Sequence, residues 1–200
     1  MVFKYIKNTF NRLKLREDLI NLAKVRFMTN YVFLGLGSNL GERELYLNNA
    51  VGLIGKSIGF ISEKSGIYET EPWGFQSENN FLNMVIKVHT ELKPHDLLKK
   101  IQGIEDKLGR VRNAKQYASR TIDIDILFYA NRIIEKPDLT IPHPLIQDRK
   151  FVLVPLCEIA PKMIHPVLSM TFEDLLLKCR DERKVTRITP AGNPNGTFFK

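Results

Sequence analysis

The chain has 200 residues, two cysteines and a formal net charge of +8. This length suits one domain, and an apolar fraction of 44% with a charged fraction of 26% is typical of an ordinary globular protein. Cys157 and Cys179 lie far apart with no Cys-x-x-Cys spacing, which argues against a disulfide framework or a zinc site. The same cysteine usage favours a reducing compartment, and no apolar run is long enough to span a membrane, so we expect a cytoplasmic protein.

The positive charge is concentrated in a basic N-terminal extension, residues 1–30, which holds seven lysines and arginines against two acidic residues. Its apolar residues fall loosely on one side of a helix, which predicts a basic amphipathic helix. The extension lacks the cleavage site of a secretory signal. A surface or membrane-grazing helix, a docking arm, and an upstream extension of a reading frame that starts at Met28 all fit this pattern.

The first half of the chain is predicted to fold as strand, helix, strand and strand. Apolar runs or alternation predict the strands, and apolar residues at helical spacing predict the helix. The ranges are 31–37, 45–54, 60–68 and 81–91. Ser38 and Asn39 are the candidate caps of the helix.

A turn-rich loop, residues 69–80, separates the last two of these strands and carries Trp73. Long loops with aromatic residues are common at binding sites, although Trp73 would fit equally well as an anchor of the loop to the core. Gly35 and Gly37 do not continue into a Gly-x-Gly-x-x-Gly fingerprint because residue 40 is leucine. A structural turn is therefore the favoured role of these glycines.

The second half is predicted to fold as helix and strand, followed by irregular segments and two short helices. Pro94 suits the first turn of the helix, and Gly109 suits its end. The further ranges are a strand at 122–129, a short strand near 133–134, an irregular proline-rich stretch at 137–144, and helices at 151–160 and 171–178. The element order predicts an α+β, ferredoxin-like sandwich with a mostly antiparallel sheet and helices on one face.

The strand that begins after Arg120 carries two carboxylates on one side and three isoleucines on the other. Asp123 and Asp125 would lie about 7 Å apart at two residues' rise. They would repel each other unless a cation lay between them, and Mg²⁺ takes one or two carboxylates together with phosphate oxygens. A solvated strand face is the alternative, but the basic loop at 109–115 and Arg120 favour a polyphosphate site.

Three other residues have settings that bear on function. Asn83 shares a strand face with Phe81, and a polar amide there must find hydrogen-bond partners, such as the edge of a flat heterocycle. His143 lies between two prolines, which fits a ligand contact or an ordinary loop histidine. Phe151 would by default pack in the core, and the other histidines are predicted to be structural or solvent-exposed.

A series of ordered motifs carries a family resemblance. They are Leu36-Gly37-Ser38-Asn39-Leu40-Gly41, Ser65-x-x-Tyr68-x-Thr70-x-Pro72, Phe81-Leu82-Asn83, Gln102-x-x-Glu105, Gly109-Arg110-Val111-Arg112, Arg120-Thr121-x-Asp123-x-Asp125, Pro142-His143 and Pro155-Leu156-x-Glu158-Ile159-Ala160-Pro161. Over roughly residues 31–178 this series resembles the 6-hydroxymethyl-7,8-dihydropterin pyrophosphokinase family.

The resemblance implies a pyrophosphokinase domain at 31–179. The basic extension, 1–30, lies before it, and the polar composition of residues 180–200, with prolines and glycines between 190 and 196, predicts a flexible tail after it. It implies transfer of the pyrophosphoryl group of ATP to the hydroxymethyl group of the dihydropterin, with release of AMP, in folate biosynthesis. ATP and the dihydropterin would be the partners, with two Mg²⁺ ions and no nucleic acid. A monomer is expected, with a dimer as the alternative.

The resemblance also implies roles for individual residues. The catalytic residues would be Arg110, Arg120, Asp123 and Asp125, and the two Mg²⁺ ions would be held by Asp123 and Asp125. The nucleotide would be bound by Gln102, Glu105, Arg110, Arg112, Arg120, Ile126 and His143. The pterin would be bound by Thr70, Trp73, Phe81, Asn83, Asp123 and Phe151, with the two phenylalanines on either side of its ring.

The chain departs from the family pattern at a few positions. Residues 117–119 are Tyr-Ala-Ser where the family has Trp-Gly-Pro, and Asn113 and Asp138 replace residues that are commonly basic. We therefore expect a catalytic loop that packs differently and an unchanged class of reaction. Another Mg²⁺-dependent phosphoryl or nucleotidyl transferase is the nearest alternative. An RNA-binding sheet is a more distant one, because the two carboxylates would repel a nucleic-acid backbone.

Overall fold

The computed structural model describes residues 30–110 and 119–188. The strands in these ranges are β1 (Asn30–Ser38), β2 (Phe60–Lys64), β3 (Ile67–Thr70), β4 (Phe81–Thr90), β5 (Asp123–Tyr129), β6 (Ile134–Lys136), β7 (Leu139–Ile141) and β8 (Val185–Ile188). The helices are α1 (Arg43–Ser57), α2 (Pro94–Lys107), α3 (Lys150–Ile159) and α4 (Phe172–Lys178), with a 3₁₀ turn at Ile146–Asp148.

The main sheet is antiparallel throughout and has the strand order β5-β1-β4-β3-β8. β2 and β3 pair with the same edge of β4, β3 along residues 81–83 and β2 along residues 86–89. The predicted strand 60–68 is therefore divided in two. The break falls at Ser65, whose hydroxyl accepts a hydrogen bond from the Val85 N–H at 2.9 Å. The α+β, ferredoxin-like prediction is confirmed.

The helices cover both faces of the sheet, so the expectation of helices on one face is wrong. One core contains Val32 and Leu34 together with apolar residues of α1 and α2. The other contains Phe33 and Phe128 together with apolar residues of α3 and α4. The physical reason is visible in β1, whose continuous apolar run is typical of a strand that is buried on both faces.

Two local predictions need correction. Ser38 is the last residue of β1 and Glu42 immediately precedes α1, so neither Ser38 nor Asn39 caps that helix. The stretch predicted to be irregular contains β7, which pairs with β6 as a two-stranded sheet. Pro94 opens α2, as predicted, and the start of α4 is capped by Thr171, whose hydroxyl accepts a hydrogen bond from the Asp174 N–H.

The ends of the chain were assigned to an extension and a loose tail. β8 pairs with β3 from Ile67↔Ile188 to Thr70↔Val185, so the prediction of a loose tail does not hold for Val185–Ile188. Residues 1–29 and 189–200 lie outside the described residues. Among the helices of the described ranges, none combines the length and the apolar character that a membrane crossing requires.

Candidate active site

A pocket of about 330 Å³ opens on the side of the sheet that carries α3. Its floor is the end of β1, where Gly35 and Gly37 provide no side chains. In the sheet, Gly37 lies between Asp123 of β5 and Asn83 of β4. A Cβ at Gly37 would lie 2.9 Å from the Asn83 Oδ1. The two glycines are therefore the pocket floor and not the turn that was predicted.

The acidic side of the pocket is the start of β5. Asp123 and Asp125 both line the pocket, while Ile124 between them is buried in the core on the other face. Both carboxylates therefore lie on one face of the strand, as the alternation in the sequence predicts. Asp123 accepts hydrogen bonds from Arg110 and from Arg120, so the predicted phosphate-binding arginines lie at the predicted metal ligand.

Asp125 is held in an unfavourable setting for a carboxylate. Burial raises its pKa, the nearby negative charge of Asp123 raises it further, and the positive charges of Arg149 and Arg120 lower it, with a net value of about 7. Two carboxylates in this arrangement fit a site for a divalent cation, because a cation would relieve both the repulsion and the desolvation. The described residues contain no group of three or more His, Cys, Asp or Glu side chains that could hold a metal ion, so any cation here would need further oxygen ligands from a substrate.

Arg149 is a site residue that the sequence analysis missed. It is only 8% exposed, its Nη1 lies 3.9 Å from the Asp125 Oδ2, and its guanidinium lies 4.9 Å from the centre of the Trp73 ring. Its buried Nε has no hydrogen-bond partner within the described residues, which suits an anionic ligand in the pocket. The available signal was an arginine two residues before Phe151, within the charged stretch Asp148-Arg149-Lys150.

His143 lines the same end of the pocket, as predicted for a ligand contact. Its Nδ1 lies 3.2 Å from the Leu145 backbone nitrogen, and its Nε2 lies 3.4 Å from the Arg149 Nη1. Burial and the Arg149 charge lower the pKa of His143 to about 4, so the imidazole is neutral at neutral pH. A neutral ring has one acceptor nitrogen and an arginine N–H can only donate, so His143 accepts from either the Leu145 N–H or Arg149, depending on its tautomer.

The opposite end of the pocket is aromatic with a small polar edge. The Asn83 Nδ2 donates a hydrogen bond to the Thr70 Oγ1 at 2.7 Å, and both residues are buried. The aromatic residues that line the pocket are Trp73, Phe75, Phe81 and Phe151. All the residues predicted to bind the pterin therefore line one pocket, and Phe75 joins them through an edge-to-face contact with Phe81 at 6.1 Å.

Three of the described residues that were predicted to bind the nucleotide are not among those that line this pocket. Glu105 is buried and accepts a hydrogen bond from the Ile124 N–H at 2.9 Å, so it joins α2 to β5. The Ile126 side chain is buried in the core, and Gln102 is half-buried on α2. Arg112 lies outside the described residues, as do positions 117 and 118 of the atypical Tyr-Ala-Ser stretch.

Asn39 connects three segments around the site. It is 1% exposed, its Oδ1 accepts a hydrogen bond from the Arg120 N–H at 2.7 Å, and its own N–H donates to the Arg120 carbonyl at 3.1 Å. Its Nδ2 donates to the hydroxyls of Ser77 and Ser119. The end of β1 therefore fixes both the loop after β3 and the segment that leads into Asp123.

Comparisons with known proteins agree with this geometry. Residues 33–161 match the family described as 7,8-dihydro-6-hydroxymethylpterin-pyrophosphokinase (HPPK). The 2-amino-4-hydroxy-6-hydroxymethyldihydropteridine pyrophosphokinases of Aquifex aeolicus and Bacillus subtilis are 43% and 42% identical over 136 and 137 residues. These alignments cover 68% of this chain, and 84% and 81% of the respective relatives.

Two longer proteins match as well. The folic acid synthesis protein FOL1 of Dictyostelium discoideum is 42% identical over 161 residues, which is 80% of this chain and 24% of that protein. A crystal structure of wild-type Plasmodium falciparum HPPK-DHPS with pteroate superposes with a TM-score of 0.63 at 19% identity. It covers 74% of this chain and 44% of the crystallised one, and it supports the fold. With 129 consecutive residues matched, from 33 to 161, the chain belongs to the 7,8-dihydro-6-hydroxymethylpterin-pyrophosphokinase family.

Proposed function

We propose that this pocket binds ATP and 6-hydroxymethyl-7,8-dihydropterin side by side, with two Mg²⁺ ions held by Asp123 and Asp125. The family's reaction, transfer of pyrophosphate from ATP to the hydroxymethyl group, releases AMP and belongs to folate biosynthesis. When bound, the ions would neutralise charge on the triphosphate and help to align it. The single observation that carries the proposal is the pair of carboxylates that faces Arg110, Arg120 and Arg149 beside a glycine floor.

The arginines supply the charge that a triphosphate requires. Arg110 donates to both Glu105 and Asp123, and Arg120 donates to Asp123. A metal ion on Asp123 would release the donors that these arginines direct at that carboxylate for phosphate oxygens. Arg149 is already buried beside Asp125 with one unpartnered N–H. A guanidinium keeps its charge when desolvated and matches phosphate oxygens with paired donors. The neutral His143 would add a polar contact without adding to the positive charge.

The aromatic end of the pocket suits a flat, polar heterocycle. Phe81 and Phe151 would provide apolar faces for the pterin ring, and Asn83 and Thr70 would bond to its edge. Because Asn83 already donates to Thr70, its amide is held in one orientation before any ligand arrives. Such preorganisation reduces the entropy lost on binding and favours one orientation of the hydroxymethyl group toward the acidic end.

Product analysis tests the proposal directly. The full chain with ATP, Mg²⁺ and the dihydropterin should form AMP and the pterin diphosphate in equal amounts. Formation of ADP, or of free pyrophosphate, would indicate the alternative transferase and contradict the proposal. Asp123→Ala should be folded and inactive, whereas Asp138→Ala, at an exposed position away from the pocket, should keep its activity. The monomeric state, the cytoplasmic location and the absence of a nucleic-acid partner stay predictions from the sequence.

A further inference from the structure

The segment from residue 180 to residue 188 lies beyond the family match, which ends at residue 161, and yet it packs against the aromatic end of the pocket. β8 extends the sheet by pairing with β3. The last of these pairs, Thr70↔Val185, lies at the point where β3 runs into the loop that carries Trp73. The segment therefore borders the wall of the pocket that is assigned to the pterin.

Asp181 holds the start of α3. Its side chain is only 4% exposed, and its Oδ2 accepts a hydrogen bond from the Lys150 N–H at 3.2 Å. Lys150 is the first residue of α3, where N–H groups have no partner within the helix and a negative charge is favourable. Arg149 and Phe151 flank Lys150 in the chain, so this bond fixes the segment that carries two pocket residues.

Arg183 reaches Trp73 from outside the pocket. Its Nη1 donates to the Asp181 Oδ1 at 2.8 Å, and its guanidinium lies 5.9 Å from the centre of the Trp73 ring. Arg149 lies against the same ring from the pocket at 4.9 Å. The indole is thus in contact with two cations that come from different parts of the chain, a favourable arrangement for an aromatic face.

A second tie secures the other end of β8. The Arg187 Nη2 lies 2.9 Å from the Glu158 Oε1, and the Glu158 Oε2 accepts hydrogen bonds from the Tyr68 hydroxyl and the Gly66 N–H. This carboxylate therefore joins α3, β3 and β8. Asp181 and Arg183 directly precede β8 in the chain. Because β8 is held in the sheet, these two residues are held beside the pocket.

We propose that Asp181 and Arg183 are positioning residues for the pterin side of the site: Asp181 fixes the helix start that carries Phe151, and Arg183 fixes Trp73. Neither residue lines the pocket. The inference rests on the proposed assignment of Trp73 and Phe151 to the pterin. It adds that pterin affinity in this chain depends on a C-terminal segment outside the matched family region.

The test compares two pairs of variants of the full chain. Arg183→Ala removes the cation beside Trp73, and Asp181→Asn removes the negative charge of Asp181 and one of its two acceptor oxygens. Arg180→Ala and Glu182→Gln make the same changes at exposed neighbouring positions. We expect the first pair to raise the KM for the dihydropterin about threefold to tenfold, the range that a cation–aromatic contact or one hydrogen bond supports. The KM for ATP should be unchanged in Arg183→Ala and should rise by a smaller factor in Asp181→Asn, because Arg149 lies on the segment that Asp181 holds. Arg183→Lys should restore most of the pterin affinity, because a cation remains over the ring.

A second measurement reads the position of Trp73 directly. Trp73 is the single tryptophan of the chain, so its fluorescence reports on this loop alone. Arg183→Ala should shift its emission and increase its quenching by acrylamide, and Arg180→Ala should do neither. A rise in both KM values by the same factor, or unchanged emission in Arg183→Ala, would overturn the inference.

A parallel variant separates this inference from the proposed function. If Phe151→Ala leaves the pterin KM unchanged, the assignment of the aromatic end to the pterin fails and the inference fails with it. If Phe151→Ala raises the pterin KM while Arg183→Ala does not, the inference alone is overturned. Thermal unfolding of each variant checks that it is folded, and the milder Arg183→Lys provides a folded comparison if Arg183→Ala is unstable.

Discussion

Arg149 and Asp125 face each other at the acidic end of the pocket, with 3.9 Å between the guanidinium Nη1 and the carboxylate Oδ2. Burial and Asp123 raise the pKa of Asp125, and Arg149 is the largest influence that lowers it. The arginine therefore has two effects in the metal-free protein. It places positive charge where a phosphate would bind, and it helps Asp125 to be ionised near neutral pH, as a metal ligand must be.

Arg149→Ala should change both the rate and its pH dependence. Loss of the charge should lower kcat/KM by roughly 10²-fold, as is usual when a donor to developing charge is removed. Loss of the same charge raises the pKa of Asp125 further, so the acid limb of the kcat/KM profile should move to higher pH. Rate profiles measured for wild type, Arg149→Ala and the exposed control Arg180→Ala test this. A lower rate with an unmoved acid limb would contradict the role assigned to Arg149.

Asp125→Asn should abolish turnover. In the presence of a metal chelator, the variant should also become more stable than wild type as the pH rises. The pKa of Asp125 is raised from 3.8 to about 7, so between these values the folded state binds more protons than the unfolded state. The contribution of Asp125 to the free energy of unfolding of wild type then falls as the pH rises through this window. Because the side chain is 41% exposed, solvent screening reduces the size of the effect.

Urea unfolding in the presence of a metal chelator, from pH 4 to pH 8, measures this slope. The asparagine variant should lack the Asp125 contribution, so its free energy of unfolding should increase relative to that of wild type as the pH rises, and Asp138→Asn should keep the wild-type curve. If the free energy of unfolding depends on pH in the same way in wild type and in Asp125→Asn, the pKa of Asp125 is not raised in the folded protein. Added Mg²⁺ should raise the stability of wild type at pH 8 more than that of the variant.

The sequence was sufficient to predict the acidic pair, because a period of two places Asp123 and Asp125 on one face wherever the strand lies. The family motifs added the arginines and the aromatic residues. The floor of the pocket could not be predicted in the same way. Gly35 and Gly37 leave room for a pocket only because β4 and β5 lie on either side of β1 with side chains that point to the same face. That pairing joins residues far apart in the chain, so no local pattern reveals it.

The contacts of Arg149 and of the C-terminal segment were missed for a related reason. Arg149 looks like part of a charged turn until α3 is placed against the sheet, after which it is buried beside Asp125. Asp181 and Arg183 form contacts with Lys150 and Trp73 that no local pattern encodes. The prolines and glycines of the tail lie between residues 190 and 196, after β8, and the pairing of β8 with β3 joins residues far apart in the chain.

Asn39→Ala should destabilise the fold and slow the reaction. The substitution leaves the Arg120 N–H without its side-chain acceptor and removes the donor to Ser77 and Ser119, in a buried place. We expect a loss of about 1–3 kcal/mol in the free energy of unfolding. Urea unfolding measures the loss, with Asn48→Ala on the exposed face of α1 as the control. A change of less than about 0.5 kcal/mol would indicate that these bonds add little to stability.

Gly37→Ala tests the glycine floor. The new methyl group would lie 2.9 Å from the Asn83 Oδ1, so Asn83 would have to move and weaken its hydrogen bond to Thr70. We expect the KM for the dihydropterin to rise about tenfold, the value of one hydrogen bond, with a smaller change for ATP. Gly52→Ala is the matched control, because a Cβ there meets nothing within 4 Å and an alanine favours helix α1 by about 1 kcal/mol. The control should be more stable than wild type with unchanged KM values. If Gly37→Ala binds the dihydropterin as tightly as wild type does, Asn83 does not need the space above Gly37, and the polar edge of the pterin site must lie elsewhere.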